Sequence, residues 1–262
     1  MNIHITDSNL FESLKKATIV KCLVGSRLYN TASEKSDYDY LNIYATSENE
    51  LLSFIQTNHQ LQYKTENEDH NFVSLHSFIR NIINGDSSIN YEVIVSDSLL
   101  GTELEWLTKH KDTFTTYTVV RNYLGLCNRD IKHYSKYTEK YDKEKRLRHV
   151  IRGYIYARDM IKHTFDFNAC NEELKSITLN VENDKQIKEY RILVTNLRNE
   201  LTEKFNDKSL GYAQHIDVTK GIEVTNELLN YCKTNNFLSK QNNLSNFNLD
   251  LFINSFENWV NY

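Results

Sequence analysis

The sequence predicts an α+β protein whose first part is mixed and whose second part is all-helical. Before about residue 100, short β-branched runs bounded by turn residues alternate with helical stripes. After Gly101, apolar residues recur with helical spacing through most of the remaining sequence. A chain of 262 residues is long enough for one large domain or two small ones. We therefore predict one domain over 1–100 and a helical domain over 101–262.

Each element of the first part has a recognisable local pattern. Residues 17–25 (ATIVKCLVG) are β-branched and end at Gly-Ser, which is typical of a buried strand. Ser47, with Glu50 three residues later, is a capping box and predicts the start of a helix. The further predictions are a brief helix or turn at RLYNTASE, strands over 37–46 and 89–96, a strand or hairpin over 60–75, and helices over 47–56 and 74–83.

The second part contains helical patterns only. Each of its segments carries apolar residues at helical spacing between polar stretches. The predicted helices cover 102–114, about 116–138, 141–165, and segments near 184–206, 218–235 and 248–260.

Composition and motifs argue against several classes of protein. No apolar run reaches ~18 residues, and the N-terminus lacks the basic-then-apolar layout of a signal peptide. We therefore expect no membrane span and a cytoplasmic protein. The four cysteines are scattered, without a CxxC motif or histidines at ligand spacing. We expect reduced thiols that fill the core, and neither a zinc site nor a disulfide framework.

The charges are divided unevenly along the chain. Residues 1–110 contain 8 Lys and Arg against 15 Asp and Glu, whereas residues 121–163 contain 12 against 5. This division suits a carboxylate site that faces a surface able to hold a polyanion. Solvated helix faces would give the same counts, so charge alone leaves both interpretations open.

Asp37 and Asp39 lie one residue apart on the second predicted strand. Side chains at i and i+2 of a strand point to the same face, so the two carboxylates repel each other unless a cation lies between them. Mg²⁺ prefers such oxygen ligands together with substrate phosphate. Gly25 and Ser26, at the end of the preceding strand, offer backbone N–H groups and a hydroxyl to a phosphate. The combination predicts a site for a nucleoside triphosphate, although each motif alone is common.

The run GSRLYN…SDYDY resembles the signature of the DNA polymerase β-like nucleotidyltransferase superfamily, and most of all its RNA-repair-associated branch. The resemblance covers residues 20–160. It implies a palm-like mixed sheet, nucleotide binding at Gly25, Ser26 and Arg27, and metal binding at Asp37 and Asp39. The sequence departs from the signature in two places. Asn30 replaces a second glycine, which is chemically mild because Asn tolerates a left-handed backbone, and Tyr40 replaces a leucine.

The superfamily carries a third carboxylate on a later strand, which acts as general base or metal ligand. Two residues are candidates. Asp69 starts an apolar strand directly before a helix, and Glu92 follows an Asn-containing turn on another predicted strand. We slightly favour Asp69 as this catalytic and metal-binding residue, and Glu92 stays open as the alternative.

The second part contains a basic helical face. Lys145, His149 and Arg152 fall at i, i+4 and i+7. The pattern KxxxHxxR is similar to one that the RNA-repair-associated branch carries. It predicts contacts with substrate phosphates and with the developing charge of pyrophosphate. A solvated basic face is the alternative.

These residues together predict a Mg²⁺- or Mn²⁺-dependent nucleotidyltransferase that uses an NTP, such as ATP, as substrate. The resemblance favours an RNA end, such as that of tRNA, as the acceptor. A protein or small-molecule adenylyltransferase is the first alternative. A non-catalytic nucleotide-binding or sensing protein is the second.

Overall fold

The computed structural model of the chain describes residues 2–5, 8–34, 36–45 and 60–235. In these residues, a five-stranded mixed sheet has the strand order β1-β4-β5-β3-β2. The predicted strand over 17–25, the strand over 37–46 and the hairpin over 60–75 are confirmed. The strands are β1 (Asn2–His4), β2 (Thr18–Val24), β3 (Tyr38–Tyr44), β4 (Gln60–Lys64) and β5 (Glu68–Ser74).

The register of the central strands brings acidic residues to one edge of the sheet. β3 runs parallel to β5, and Asp39 lies directly beside Asp69. On its other side, β3 runs antiparallel to β2, and Asp39 lies beside Val24. Because the side chains alternate along each strand, Asp39 and Asp69 lie on the same face.

The two faces of the sheet are covered differently. The face that bears Asp39 also carries Leu41, Ile43 and Cys22, which are buried in the main core. The opposite face is covered in part by helix α1 (Ser8–Ala17), whose Phe11 ring stacks on Tyr63. A smaller core of Ile5, Leu14 and Phe72 lies beneath this helix.

Three helices adjoin the sheet: α2 (Gly25–Leu28), α3 (Leu75–Ile83) and α4 (Ser88–Val95). The predicted helix over 74–83 is confirmed, but the predicted strand over 89–96 is wrong because these residues form α4. Ser87 has an extended backbone, and its hydroxyl accepts a hydrogen bond from the N–H of Asn90, which starts the helix. The segment INYEVIV is buried on almost every side, so its apolar run has no periodicity that separates helix from strand.

The second part is helical, as predicted. A 3₁₀ helix over Glu105–Phe114 replaces the helix expected over 102–114. Helix α1 and the helix over Phe167–Ser176 have no counterpart among the predictions. The predicted helices over 47–56 and 248–260 lie outside the described residues. The helices are α5 (Tyr117–His133), α6 (Lys140–Ile161), α7 (Phe167–Ser176), α8 (Lys185–Asn206) and α9 (Val218–Thr234). A short 3₁₀ turn (Tyr134–Lys136) follows α5, and α6 packs against α5, α7 and α8.

One hydrophobic core runs through both parts of the chain. It extends from Val20 and Leu41 of the sheet to Ile151 of α6 and Val224 of α9. The division into domains at residue 100 therefore stays a prediction, because buried residues from both sides share this core. All four cysteines are buried and unpaired, as expected of core residues. Among the described helices, none combines the length and apolarity that a membrane span requires.

Candidate active site

The turn between β2 and α2 lies directly against Asp39. Gly25 has φ +68°, a backbone conformation that residues with a side chain rarely adopt. A Cβ atom built on Gly25 would lie 2.2 Å from Oδ2 of Asp39. Only glycine therefore fits at this position, and its backbone approaches the carboxylate closely.

Backbone hydrogen bonds hold the rest of this turn. The N–H of Tyr29 donates to the carbonyl oxygen of Gly25 (3.3 Å), and the N–H of Thr31 donates to that of Ser26 (2.9 Å). Asn30 has φ +56°, so the residue in place of the second glycine does adopt the left-handed conformation. The half-buried Ser26 hydroxyl makes no hydrogen bond with any residue in the described ranges. It is therefore available to a ligand.

Three carboxylates gather at the edge of the sheet beside this turn. Asp39 and Asp69 are register neighbours, and Asp37 lies just before β3. Asp37 and Asp69 each have a partner on β4. Nζ of Lys64 lies 3.8 Å from Asp37, and Nε2 of Gln62 donates to both oxygens of Asp69 at 2.9 and 2.8 Å.

The electrostatics of Asp39 reflect this crowding. Burial, together with the negative charges of Asp37 and Asp69, raises the pKa of the Asp39 carboxyl to about 6. The cations of Lys145 and Lys64 act in the opposite direction. Lys145 comes from α6, so the carboxylate edge faces a cation from the helical part of the chain.

The donor set suits a divalent cation in its chemistry, although the side chains are not gathered into a cage. In the described residues, no three His, Cys, Asp or Glu side chains lie close enough together to hold a metal ion as they stand. Asp37 is paired with Lys64, and Asp69 with Gln62. The mutual repulsion at Asp39 is what a Mg²⁺ or Mn²⁺ ion would relieve.

Arg27 contacts the loop before β3. Its guanidinium donates to the carbonyl oxygens of Ser36 (2.6 Å) and Asp37 (3.2 Å), and it lies over the Tyr38 ring. We expected a nucleotide contact here. That contact stays a prediction, and in this structure the guanidinium holds the backbone from which the Asp37 side chain projects.

The side chains of the predicted basic face become less exposed from Lys145 to Arg152. Lys145 is exposed, and its charge acts on Asp39. His149 is 34% exposed, and its Nδ1 lies 3.5 Å from Oδ2 of Asp130 in α5. Burial lowers the pKa of His149, and this contact with Asp130 opposes the change. Arg152 is 15% exposed and lies over the Tyr29 ring, so its guanidinium faces the protein interior and not an open cleft.

Glu92 does not share the sheet edge with the other candidates. It lies on α4, is 1% exposed, and accepts hydrogen bonds from Tyr29 and Tyr123. A carboxylate enclosed in the core is out of reach of a metal ion or a substrate, whereas Asp69 is only half-buried. Of the two candidates for the third carboxylate, the geometry favours Asp69.

Sequence reasoning missed the residues of β4 that contact the carboxylates. Gln62 and Lys64 belong to a strand with no motif of its own, and their role follows from strand pairing with β5. Alternation along a predicted hairpin was the one signal that could have placed them on the face of Asp69.

A glycine-serine turn packed against paired aspartates at the edge of a mixed sheet is the arrangement expected for a nucleotidyltransferase. The family comparison agrees, and it identifies the branch. Residues 4–215 match the RNA repair pathway DNA polymerase beta family (RlaP), and the chain belongs to this family. The sequence-based resemblance is therefore confirmed.

Other comparisons add less. A search of curated proteins finds no significant match. Among solved structures, a nucleotidyltransferase-like protein from Exiguobacterium sibiricum is similar over 74% of this chain and 72% of its own. The two share 12% sequence identity with a TM-score of 0.27, which carries no conclusion about function.

The raised pKa of Asp39 predicts how the stability of the metal-free protein depends on pH. Folded Asp39 keeps a proton that the unfolded chain releases between its ordinary pKa of 3.8 and about 6. The free energy of unfolding therefore falls as pH rises through this window. Asp39→Asn should remove the contribution of Asp39 to this decrease in the free energy of unfolding. It should also stabilise the metal-free protein at pH 7. Urea unfolding in EDTA across the window measures it, with the exposed Asp86→Asn as control. An unchanged pH dependence in Asp39→Asn would contradict the electrostatic description.

Proposed function

We propose that the protein is a Mg²⁺- or Mn²⁺-dependent nucleotidyltransferase that moves a nucleoside monophosphate from an NTP to an acceptor hydroxyl and releases pyrophosphate. One observation carries the proposal: Asp39 meets Asp37, Asp69 and the Gly25 turn at a single edge of the sheet. Membership of a polymerase β family supports nucleotidyl transfer in general. The identities of the metal ion and of the acceptor go beyond what family membership supports.

Asp37, Asp39 and Asp69 would hold the divalent cation. When bound, such an ion supplies positive charge that polarises phosphate oxygens and offsets the carboxylates. To gather around it, Asp37 exchanges its contact with Lys64 for the ion. That pair is 59% and 41% exposed on its two side chains, so the exchange costs little. Asp69 is also the candidate to accept the proton of the attacking acceptor hydroxyl.

The triphosphate would lie between the Gly25–Ser26 turn and Lys145. The missing side chain at Gly25 leaves room for the Asp39 carboxylate beside the turn, and the Ser26 hydroxyl can donate a hydrogen bond to a phosphate. Lys145 is exposed and faces the same edge, where its ammonium can neutralise charge on the leaving pyrophosphate. His149 lies one turn further along α6 and is 34% exposed, so it is the second candidate on this face.

We propose an RNA end, such as that of tRNA, as the acceptor. The family to which the chain belongs is described as one of an RNA repair pathway. The excess of Lys and Arg over residues 121–163 supports a polyanion at the helical part of the site. A protein or small-molecule acceptor, and a non-catalytic sensing role, are the outcomes against which this proposal is tested.

Removal of one metal-binding carboxylate should abolish transfer. Asp37→Asn and Asp39→Asn keep the side-chain volume and remove the charge, so the fold should persist while activity is lost. The assay incubates each protein with α-³²P-labelled NTPs, Mg²⁺ or Mn²⁺, and total RNA or protein extract. Asp86→Asn, an exposed acid outside the sheet edge, is the matched control. Label in the protein fraction would mean that the acceptor is a protein and not an RNA. Full activity in Asp39→Asn would refute the proposed site.

Lys145 should act on phosphate and not on metal. Lys145→Ala should weaken NTP binding by about 10- to 100-fold, the scale of a hydrogen bond to a charged group. Mn²⁺ binding without nucleotide should change little. Lys140→Ala provides the control, since Lys140 is an exposed lysine on the same helix that does not act on Asp39. Titration calorimetry compares the variants. If Lys145→Ala and Lys140→Ala bind NTP with equal affinity, Lys145 does not contact the phosphates.

A further inference from the structure

A buried carboxylate joins the two parts of the chain beside the Gly-Ser turn. Glu92 of α4 is 1% exposed and accepts hydrogen bonds from the hydroxyls of Tyr29 (2.5 Å) and Tyr123 (3.0 Å). The Nη2 atom of Arg152 in α6 lies 3.9 Å from the same carboxylate. Burial raises the pKa of both tyrosines well above the ordinary value, so both hydroxyls remain donors. A carboxylate enclosed this deeply needs such partners to offset its lost hydration.

Tyr29 is the one member of this cluster that belongs to the turn itself. It directly follows α2, is 5% exposed, and its N–H donates to the carbonyl oxygen of Gly25. Two residues later, Thr31 donates to the carbonyl oxygen of Ser26. A displacement of the Tyr29 ring therefore displaces Gly25 and Ser26, because only a few bonds separate them.

Arg152 connects the same ring to α6. Its guanidinium carbon lies 3.7 Å from the centre of the Tyr29 ring, within the range of a cation–π contact. Lys145 lies seven residues earlier on the same face of this helix, where its charge acts on Asp39. One helix thus contacts the turn through Arg152 and the carboxylate edge through Lys145.

We propose that Tyr29 and Glu92 are positioning residues. Their hydrogen bond, with Arg152 over the Tyr29 ring, fixes the Gly25–Ser26 turn against α6 and so sets the gap in which a nucleoside triphosphate is held. This inference rests on the proposed function. It assigns to Glu92 a role other than that of a third carboxylate, and to Arg152 a role other than that of a phosphate ligand.

Two nearly isosteric substitutions distinguish positioning of the Gly25–Ser26 turn from stabilisation of the fold alone. Tyr29→Phe and Tyr123→Phe each remove one buried hydroxyl donor from the same carboxylate. Only Tyr29 is part of the turn, whereas Tyr123 lies on α5. Both variants should lose thermal stability. Tyr29→Phe alone should weaken binding of a Mg²⁺–NTP by about tenfold or more and raise KM. Glu92→Gln, which weakens the acceptor for Tyr29, should reproduce the binding loss of Tyr29→Phe.

The measurement is titration of each protein with Mg²⁺ and non-hydrolysable analogues of ATP, GTP, CTP and UTP, beside its thermal unfolding. The expected result is a binding loss confined to Tyr29→Phe and Glu92→Gln. Equal affinity in Tyr29→Phe and Tyr123→Phe, with wild-type protein binding an analogue, would overturn this inference and leave the proposed function intact. Wild-type protein that binds none of the four analogues would overturn both.

Discussion

The close contact between Gly25 and the Asp39 carboxylate is the constraint on which the rest of the site depends. It requires a residue without a side chain directly after β2, because a Cβ atom there would overlap the Asp39 side chain. In the proposed function, this contact brings the turn that binds phosphate and a carboxylate that binds metal to the same point. Pairing of β3 with β5 then adds Asp69 at the neighbouring position. Strand register therefore determines where Asp39 and Asp69 lie, whereas Asp37 lies in the loop before β3 that Arg27 contacts.

The ion pairs around the site differ in how easily they can be exchanged. The contact between Lys64 and Asp37 is exposed on both sides, and such pairs contribute about 0–1 kcal/mol. In the proposed function, Asp37 exchanges this contact for the metal ion. Glu92 and Arg152 are buried, and loss of one partner of a buried pair costs about 3–5 kcal/mol. This cluster stays in place and provides a fixed support behind the turn. The site thus combines an exposed ion pair that is easily exchanged with a buried cluster that is not.

The sequence was sufficient for those parts of the site that lie on regular strands or depend on local backbone chemistry. The strand before Gly25, the alternation that places Asp39, and the left-handed Asn30 all followed from local patterns. Glu92 was misplaced on a strand because a run buried on every side has no periodicity. Helical spacing places Lys145 and Arg152 on one face of a helix, but it does not reveal which of the two side chains an aromatic ring will cover. That information depends on tertiary packing against Tyr29.

In the proposed function, the carboxylates of Asp37 and Asp39 hold a metal ion that a triphosphate shares. The most direct test is a crystal structure with Mn²⁺ and a non-hydrolysable NTP, in which anomalous scattering locates the metal. We expect anomalous density between Asp37 and Asp39, at about 2.0–2.2 Å from their oxygens, with phosphate oxygens beside the Gly25 turn. A triphosphate bound elsewhere, or metal bound without either aspartate, would contradict the proposed site.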